Sequence, residues 1–145
     1  MIHFKNDIDR VRYFHLCPEA RYVMHVLEDC FTNARKKLFI TSTVSTIEED
    51  KELNRVTASH RQARAFDVRS WNLRGDERSY FSDKFWEELQ SRLEVLIPEE
   101  YFYVGATSGK SKLFHIHGEQ GRDHHAHFAV HPRYGLNPKP KSKLN

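Results

Sequence analysis

Two stretches of the chain alternate apolar and polar residues with the period of a half-buried β-strand. Residues 65–69 place Phe66 and Val68 on one face and Asp67 on the other. Residues 125–131 place apolar side chains on one face and, on the other, mainly histidines. The pattern predicts two strands, each with an apolar face for a core and a second face that carries metal-type ligands.

Apolar residues at three- and four-residue spacing predict two amphipathic helices. The first begins at Pro18, a favourable first helical residue, and runs for about five turns. It closes at the lysine pair 36–37, where cations suit the helix dipole. The second helix opens at Ser82 and Asp83 and is stopped by Pro98.

Three short β-rich runs predict further strands, at residues 38–42, 101–104 and 112–117. Residues 43–57 are polar without a strong period, which predicts an exposed loop beside the site. Residues 135–145 are polar and rich in Pro and Lys, which predicts a flexible tail. We therefore predict an α+β fold: one small domain over residues 1–134, with two main helices packed on a mostly antiparallel sheet that carries a zinc site.

Charge and cysteine content narrow the function. The 23 basic and 20 acidic residues give a net charge of +3, which is too mild to indicate nucleic-acid binding. No apolar run reaches membrane-spanning length, and the N-terminus lacks a signal-peptide core, so cytoplasmic synthesis without a membrane partner is expected. Cys17 and Cys30 form no C-x-x-C pattern and are expected to pack as small residues.

Histidine is the strongest compositional signal, with ten in the chain and six between His115 and His131. Imidazole nitrogen and carboxylate oxygen are zinc ligands, and catalytic zinc sites use three protein ligands and a water. We predict that His60, Asp67 and His127 form such a set, with Zn²⁺ as cofactor. The bound ion would bring the pKa of its water to about 7 and polarise a carbonyl. His131 is expected to be peripheral.

A zinc hydrolase also needs a group that accepts the proton of water and passes it to the leaving amine. Asp123, His125 and Glu119 lie close to His127 in sequence, and we predict that Asp123 and His125 are catalytic. His125 is two residues from His127 and shares its strand face. Further candidates for the same cleft are His115 and His117.

The stretch S-H-R-Q-A-R-A-F-D-V-R at residues 59–69 resembles a known zinc signature. It is similar to the S-x-H-x-x-G-x-A-x-D pattern of the D-Ala-D-Ala metallopeptidases, the M15-type carboxypeptidases and phage endolysins. In that wider group, which includes lysostaphin-like enzymes and the hedgehog signalling domain, a short H-x-H follows on a strand. The likeness covers residues 38–131, including a T-S segment before the signature.

The resemblance implies roles for individual residues. His60, Asp67 and His127 would hold zinc, and His125 would fall on a catalytic or transition-state-stabilising position. The glutamate that the family carries three residues before the last ligand is His124 here. The identity of the general base therefore stays open among Asp123, His125 and Glu119.

Two further positions depart from the family pattern. Ala63 stands at the signature glycine, and Val44 is nearest to the arginine that usually follows the T-S segment. Another arginine would have to replace it: Arg55, Arg64 or Arg69. The residues that we predict to bind substrate are Ser59, Arg64 and Arg69.

Two other hypotheses stay open. H-A-H-F-A-V and F-H-I-H also fit the His-hydrophobe-His strand of single-strand nicking endonucleases, in which a tyrosine such as Tyr101 or Tyr103 attacks DNA. That hypothesis leaves the spacing of His60 and Asp67 unexplained. The third hypothesis is a zinc-binding module without catalysis.

The sequence thus predicts a zinc metallopeptidase that hydrolyses peptidoglycan stem or cross-link peptides, of the D-Ala-D-Ala carboxypeptidase or endopeptidase type. A phage lysis or virion enzyme, or a cytoplasmic recycling peptidase, fits the expected lack of a signal peptide. We expect a monomer whose partner is a peptidoglycan peptide, with no nucleic acid involved.

Overall fold

A computed structural model of the chain describes residues 1–55, 57–69, 83–104, 111–117 and 125–136. The strands within these ranges are β1 (Ile2–Phe4), β2 (Leu38–Ser42), β3 (Ala65–Arg69), β4 (Tyr103–Val104), β5 (Ser111–Lys112), β6 (Phe114–His117) and β7 (His125–Ala129). The main sheet has the order β1-β2-β3-β7-β6, and β4 pairs with β5 separately. Only β1 and β2 pair in parallel within the described sheets, so the main sheet is mostly antiparallel as predicted.

The described helices are α1 (Asp7–Arg12), α2 (Pro18–Asn33), α3 (Ile47–Glu52) and α4 (Asp83–Leu96). The two long ones are the two helices that the apolar spacing predicts. The buried face of α2 consists of Ala20, Val23, Met24, Leu27, Cys30 and Phe31. It joins one hydrophobic cluster with the buried residues of α4 and the sheet. The α+β prediction is confirmed.

Aromatic residues of the inner strands form the centre of the core. The Phe66 and Phe128 rings stack with centroids 5.3 Å apart, and Phe114 stacks on Phe128 at 4.9 Å. Val68 and Ala126 lie in the same cluster and are fully buried. The apolar faces predicted for β3 and β7 therefore do face the core.

The prediction of an exposed loop over residues 43–57 is wrong in its middle, where α3 forms. Thr46 accepts a hydrogen bond from the Glu49 backbone, and the Glu49 carboxylate accepts one from the Thr46 backbone, which is a capping box. The segment is also not exposed throughout, because Thr43, Ser45 and Asp50 are buried.

Several boundaries also differ from the predicted ones. The first helix ends at Asn33 rather than at the lysine pair, and β1 and α1 occupy a region without a clear pattern. The run 101–104 begins inside a 3-10 turn, Glu99–Tyr101. The run 112–117 divides between two sheets, because Lys112 pairs with β4 and Phe114 pairs with β7.

At the end of the described chain, Leu136 N donates to Gln62 O at 2.7 Å. The remainder of the predicted tail, residues 137–145, lies outside the described residues, as does Ser82. No helix among the described residues is long and apolar enough to cross a membrane.

Candidate metal centre

The register of β3 against β7 places two predicted ligands side by side. Asp67 pairs directly with His127, and Phe66 pairs directly with Phe128. Residues opposite each other on neighbouring strands share a face of the sheet. Because the phenylalanines enter the core, Asp67 and His127 lie together on the other face.

The third predicted ligand, His60, comes from a tight turn before β3. Gln62 N donates to Ala58 O at 2.8 Å and Ala63 N donates to His60 O at 3.1 Å, so the turn is coiled like a helix. Ala63 closes it with a φ of 59°, in the left-handed region that glycine adopts most easily. Ala63 stands where the resembled signature has glycine, so the positive φ gives a physical reason for glycine at this position.

The three side chains converge on one oxygen atom. His60 Nε2 lies 3.3 Å from Asp67 Oδ1, and His127 Nδ1 lies 2.9 Å from the same oxygen. One ligand atom from each residue lies within 4.8 Å of the other two. His60, Asp67 and His127 therefore form a group that can hold a metal ion.

Each histidine has its other ring nitrogen held by a polar atom. His60 Nδ1 lies 2.6 Å from the backbone oxygen of Thr43, and His127 Nε2 lies 3.3 Å from Ser59 Oγ. Metal-bound histidines commonly donate their second N–H to such an outer partner, which fixes the tautomer and the ring orientation. The outer contacts of both rings are thus those expected of ligands.

His60 Nε2 is buried beside the carboxylate of Asp67. His60 is 3% exposed, and Nε2 has no hydrogen-bond partner among the residues that the structure describes. Because the Thr43 carbonyl requires the proton on Nδ1, neutral His60 would turn its Nε2 lone pair towards the carboxylate of Asp67. Such a buried arrangement is costly unless a positive charge lies there, which either a proton on Nε2 or a metal ion supplies.

Electrostatics hold Asp67 in its ionised form and favour a neutral His127. Burial alone would raise the pKa of Asp67, but the charge of His60 and the hydrogen bond of His127 hold that pKa well below its ordinary value. Burial lowers the pKa of His127, against the opposing effect of Asp67. An ionised Asp67 and a neutral His127 are the forms that coordinate a cation.

The second oxygen of Asp67 faces Arg55 and His125. Asp67 Oδ2 lies 3.6 Å from an Arg55 guanidinium nitrogen and 4.0 Å from His125 Nε2. The Arg55 guanidinium also donates to Ser42 Oγ at 2.9 Å and to Asp50 Oδ1 at 3.1 Å. Of the three arginines named for the missing family arginine, Arg55 contacts the ligand carboxylate.

The predicted substrate-binding residues lie in different surroundings. Ser59 contacts His127, as described above. Arg64 donates to the Gln62 side chain at 2.8 Å and to Val130 O at 2.9 Å. The Arg69 guanidinium lies 4.7 Å from the centre of the Phe39 ring. A substrate-binding role for these residues stays a prediction.

For two other predicted residues the structure gives only the strand register, and two more lie outside the described residues. His115 pairs with His127, and His117 pairs with His125, in the register of β6 against β7. Asp123 and Glu119 lie outside the described residues. Among the three proposed bases, the structure thus describes only His125.

Sequence reasoning missed the supports of the group. These are Asp9 on α1, the carbonyl of Thr43, and the buried carboxylate of Asp50. The T-x-x-E pattern at 46–49 could have revealed the helix that brings Asp50 and Arg55 to the site. Asp9 and Thr43 have no comparable local signal.

Comparisons with models of protein families, with curated proteins and with solved structures found no match for this chain.

Proposed function

We propose that the chain is a zinc-dependent peptidase that hydrolyses peptidoglycan stem or cross-link peptides. The observation that carries the proposal is the convergence of His60 Nε2 and His127 Nδ1 on one oxygen of the buried Asp67. Two imidazoles and one carboxylate are a common ligand set of catalytic zinc sites, which leave one position for water. The resemblance of residues 59–69 to the D-Ala-D-Ala metallopeptidase signature supports the choice of substrate.

Two of the separations between ligand atoms are close to those expected around zinc. Ligands at about 2.0–2.1 Å from a tetrahedral ion lie about 3.3 Å from one another. The observed separations from Asp67 Oδ1 are 3.3 Å for His60 Nε2 and 2.9 Å for His127 Nδ1. His60 would hold the ion through Nε2, Asp67 through Oδ1 and His127 through Nδ1. When bound, zinc supplies a nucleophilic water near neutral pH and polarises the peptide carbonyl.

The exposure of His125 and its distance from Asp67 support a role in proton transfer. Its side chain is 25% exposed and its Nε2 lies 4.0 Å from Asp67 Oδ2, so it stands at the solvent side of the ligand group. From there an imidazole can accept a proton from water and donate it to the leaving amine. Arg55 lies near the same oxygen of Asp67, and its positive charge would stabilise the charge that develops on a bound carbonyl oxygen.

The surroundings of Tyr101 argue against its use as the nucleophile of a nicking endonuclease. The Tyr101 ring packs against Tyr22 and Tyr134, with centroids 6.1 Å and 5.1 Å away. Partial burial, together with nearby acidic groups, raises the pKa of its phenol. A nucleophile is activated by a lowered pKa or an adjacent base, so the shift is in the wrong direction.

A cell-wall peptide assay tests the proposal. The zinc-loaded chain is incubated with purified peptidoglycan and with a synthetic stem peptide that ends in D-Ala-D-Ala. We expect new amino groups or free D-Ala, with activity lost on chelation and in His127→Ala. The matched control is His131→Ala, which removes a histidine from the same segment and should keep activity. Bound zinc without cleavage of either substrate would contradict the proposal and favour a non-catalytic zinc module.

A further inference from the structure

The buried carboxylate of Asp9, on helix α1, contacts Thr43, which directly follows strand β2. Asp9 is 6% exposed and Thr43 is fully buried. Asp9 Oδ1 accepts hydrogen bonds from Thr43 N at 2.9 Å and from Thr43 Oγ1 at 3.0 Å. One carboxylate oxygen therefore fixes both the backbone and the side chain of Thr43.

A second residue of α1 holds the next peptide unit. Arg12, one helical turn after Asp9, donates to Val44 O at 3.2 Å and to Glu49 Oε1 at 2.7 Å. The Thr43 carbonyl lies between Thr43 N, which Asp9 holds, and Val44 O, which Arg12 holds. That carbonyl accepts the Nδ1–H of His60 at 2.6 Å. The orientation of the acceptor is thus set by α1, which is far from His60 in sequence.

We propose that Asp9 is a positioning residue for His60, acting through Thr43. By holding Thr43, it directs the carbonyl at His60 Nδ1, keeps the ring proton on that nitrogen, and leaves Nε2 free to bind the metal. The effect on metal affinity rests on the proposed zinc function, whereas the effect on the His60 tautomer does not. Outer contacts of metal ligands commonly change metal affinity about 10–100-fold when they are removed.

A merely structural role for Asp9 would give a different result. In that case, the bonds to Thr43 would only fasten α1 to β2, and their loss would lower stability without changing the proton position on His60. The test therefore compares Asp9→Ala with Leu93→Ala, which removes buried side-chain volume in α4. Asp9→Asn is the conservative variant, because its amide oxygen can still accept both bonds from Thr43.

The first readout is the tautomer of His60 in the metal-free protein. Long-range ¹H–¹⁵N correlation of the imidazoles at pH 9, above the ordinary titration range of histidine, shows which nitrogen carries the proton. We expect Nδ1–H in the wild type, in Asp9→Asn and in Leu93→Ala, and a mixture of tautomers in Asp9→Ala. The second readout is zinc affinity against a chelating dye, which Asp9→Ala should weaken about 10–100-fold while Leu93→Ala leaves it unchanged.

An unchanged Nδ1–H tautomer in Asp9→Ala would overturn the inference, as would a zinc affinity within twofold of the wild type. If Asp9→Ala does not fold, Thr43→Val decides the question. It removes the hydroxyl bond to Asp9 and keeps that of the backbone N–H, so we expect a smaller shift of both readouts in the same direction, and no shift in either would overturn the inference. If the wild type binds no zinc, the proposed function fails, and the tautomer alone decides the role of Asp9.

Discussion

At the scale of single residues, the two carboxylate oxygens of Asp67 have different neighbours. Oδ1 faces the ring nitrogens of His60 and His127, while Oδ2 faces Arg55 and His125. The guanidinium of Arg55 lies between Asp67 and Asp50, both of which are buried. One cation therefore compensates two buried carboxylates.

Replacing Arg55 should be costly for this reason. Arg55→Met removes the guanidinium from Asp67 Oδ2 and leaves Asp50 with a single arginine, so we expect a loss of about 3 kcal/mol in the free energy of unfolding. Arg55→Lys should recover only part of it, because an ammonium cannot span both carboxylates as a planar guanidinium does. Urea unfolding of the metal-free variants measures both.

The control for Arg55 is Arg10→Met. Arg10 pairs with Asp7 at 2.9 Å, but their side chains are 62% and 90% exposed. Exposed pairs contribute little, so the expected loss is below about 1 kcal/mol. Equal losses for the two methionine variants would contradict the role assigned to Arg55.

Asp50 should make stability depend on pH. Burial raises the pKa of Asp50, but hydrogen bonds from Ser45, Arg61 and Arg55 outweigh burial and lower it. A carboxyl whose pKa is lower in the folded state stabilises the fold above its unfolded-state pKa, about 3.9. That stability is lost as the pH falls through the folded-state pKa.

We therefore expect the unfolding free energy of the wild type to fall as the pH drops below about 4. Asp50→Asn should be less stable at pH 7 and should show a shallower fall, because its side chain does not titrate. Urea titrations at pH 7, 5 and 3 give both slopes. Parallel curves for the two proteins would show that the lowered pKa of Asp50 does not contribute.

At the scale of elements, α3 matters more than its six residues suggest. It carries Asp50 and leads directly to Arg55, and its first turn is closed by the Thr46–Glu49 capping box. Glu49 also accepts the Arg12 guanidinium at 2.7 Å, which connects α3 to α1. The first turn of α3 thus contacts α1 directly, and both helices carry residues that support the ligand group.

The capping box can be tested alone. Thr46→Ala removes the side-chain acceptor for the Glu49 amide and should cost about 1 kcal/mol of unfolding free energy. Thr32→Ala, at an exposed position within α2, is the matched control and should be neutral or slightly stabilising. Chemical denaturation measures the pair. A loss in Thr32→Ala as large as that in Thr46→Ala would argue against the cap.

The long and periodic elements could be predicted from the sequence, and the short ones could not. Alternation over β3 and β7 gave the correct faces, because a one-residue slip would have put Phe66 on the ligand side and Asp67 in the core. In contrast, α1 and α3 have six residues each, too few for a helical period to emerge. Their positions depend on tertiary bonds such as that of Asp9 to Thr43.

The same limit applies to the candidate metal centre. Residue type and alternation were enough to select His60, Asp67 and His127, which the structure brings together. The choice among three arginines was not accessible, because the approach of Arg55 to Asp67 depends on the path of α3. The carbonyl that holds His60 was also inaccessible, since every residue offers a carbonyl and only the fold selects one.

At the scale of the whole molecule, the ligand group connects parts that are distant in the chain. His60 belongs to the turn before β3, Asp67 to β3 itself, and His127 to β7. The core packs against the opposite face of these strands. A metal bound by all three residues would therefore hold together the turn and the two central strands, and its binding should stabilise the folded state as a whole.

The gain in unfolding free energy on zinc binding can be predicted. Free zinc at 100 times its dissociation constant should raise the unfolding free energy by about 2.7 kcal/mol, if the unfolded chain binds none. Urea unfolding with and without zinc measures the gain. His127→Ala should show none of it. A similar gain in His127→Ala would mean that the ion acts elsewhere on the protein.

The most direct test of the metal centre is a zinc titration of the metal-free chain against a chelating dye. We predict one zinc per chain for the wild type and for His131→Ala, and no tight binding for His60→Ala or His127→Ala. Absence of tight zinc in the wild type, or its retention in both ligand variants, would contradict the assignment of His60, Asp67 and His127 as a zinc site.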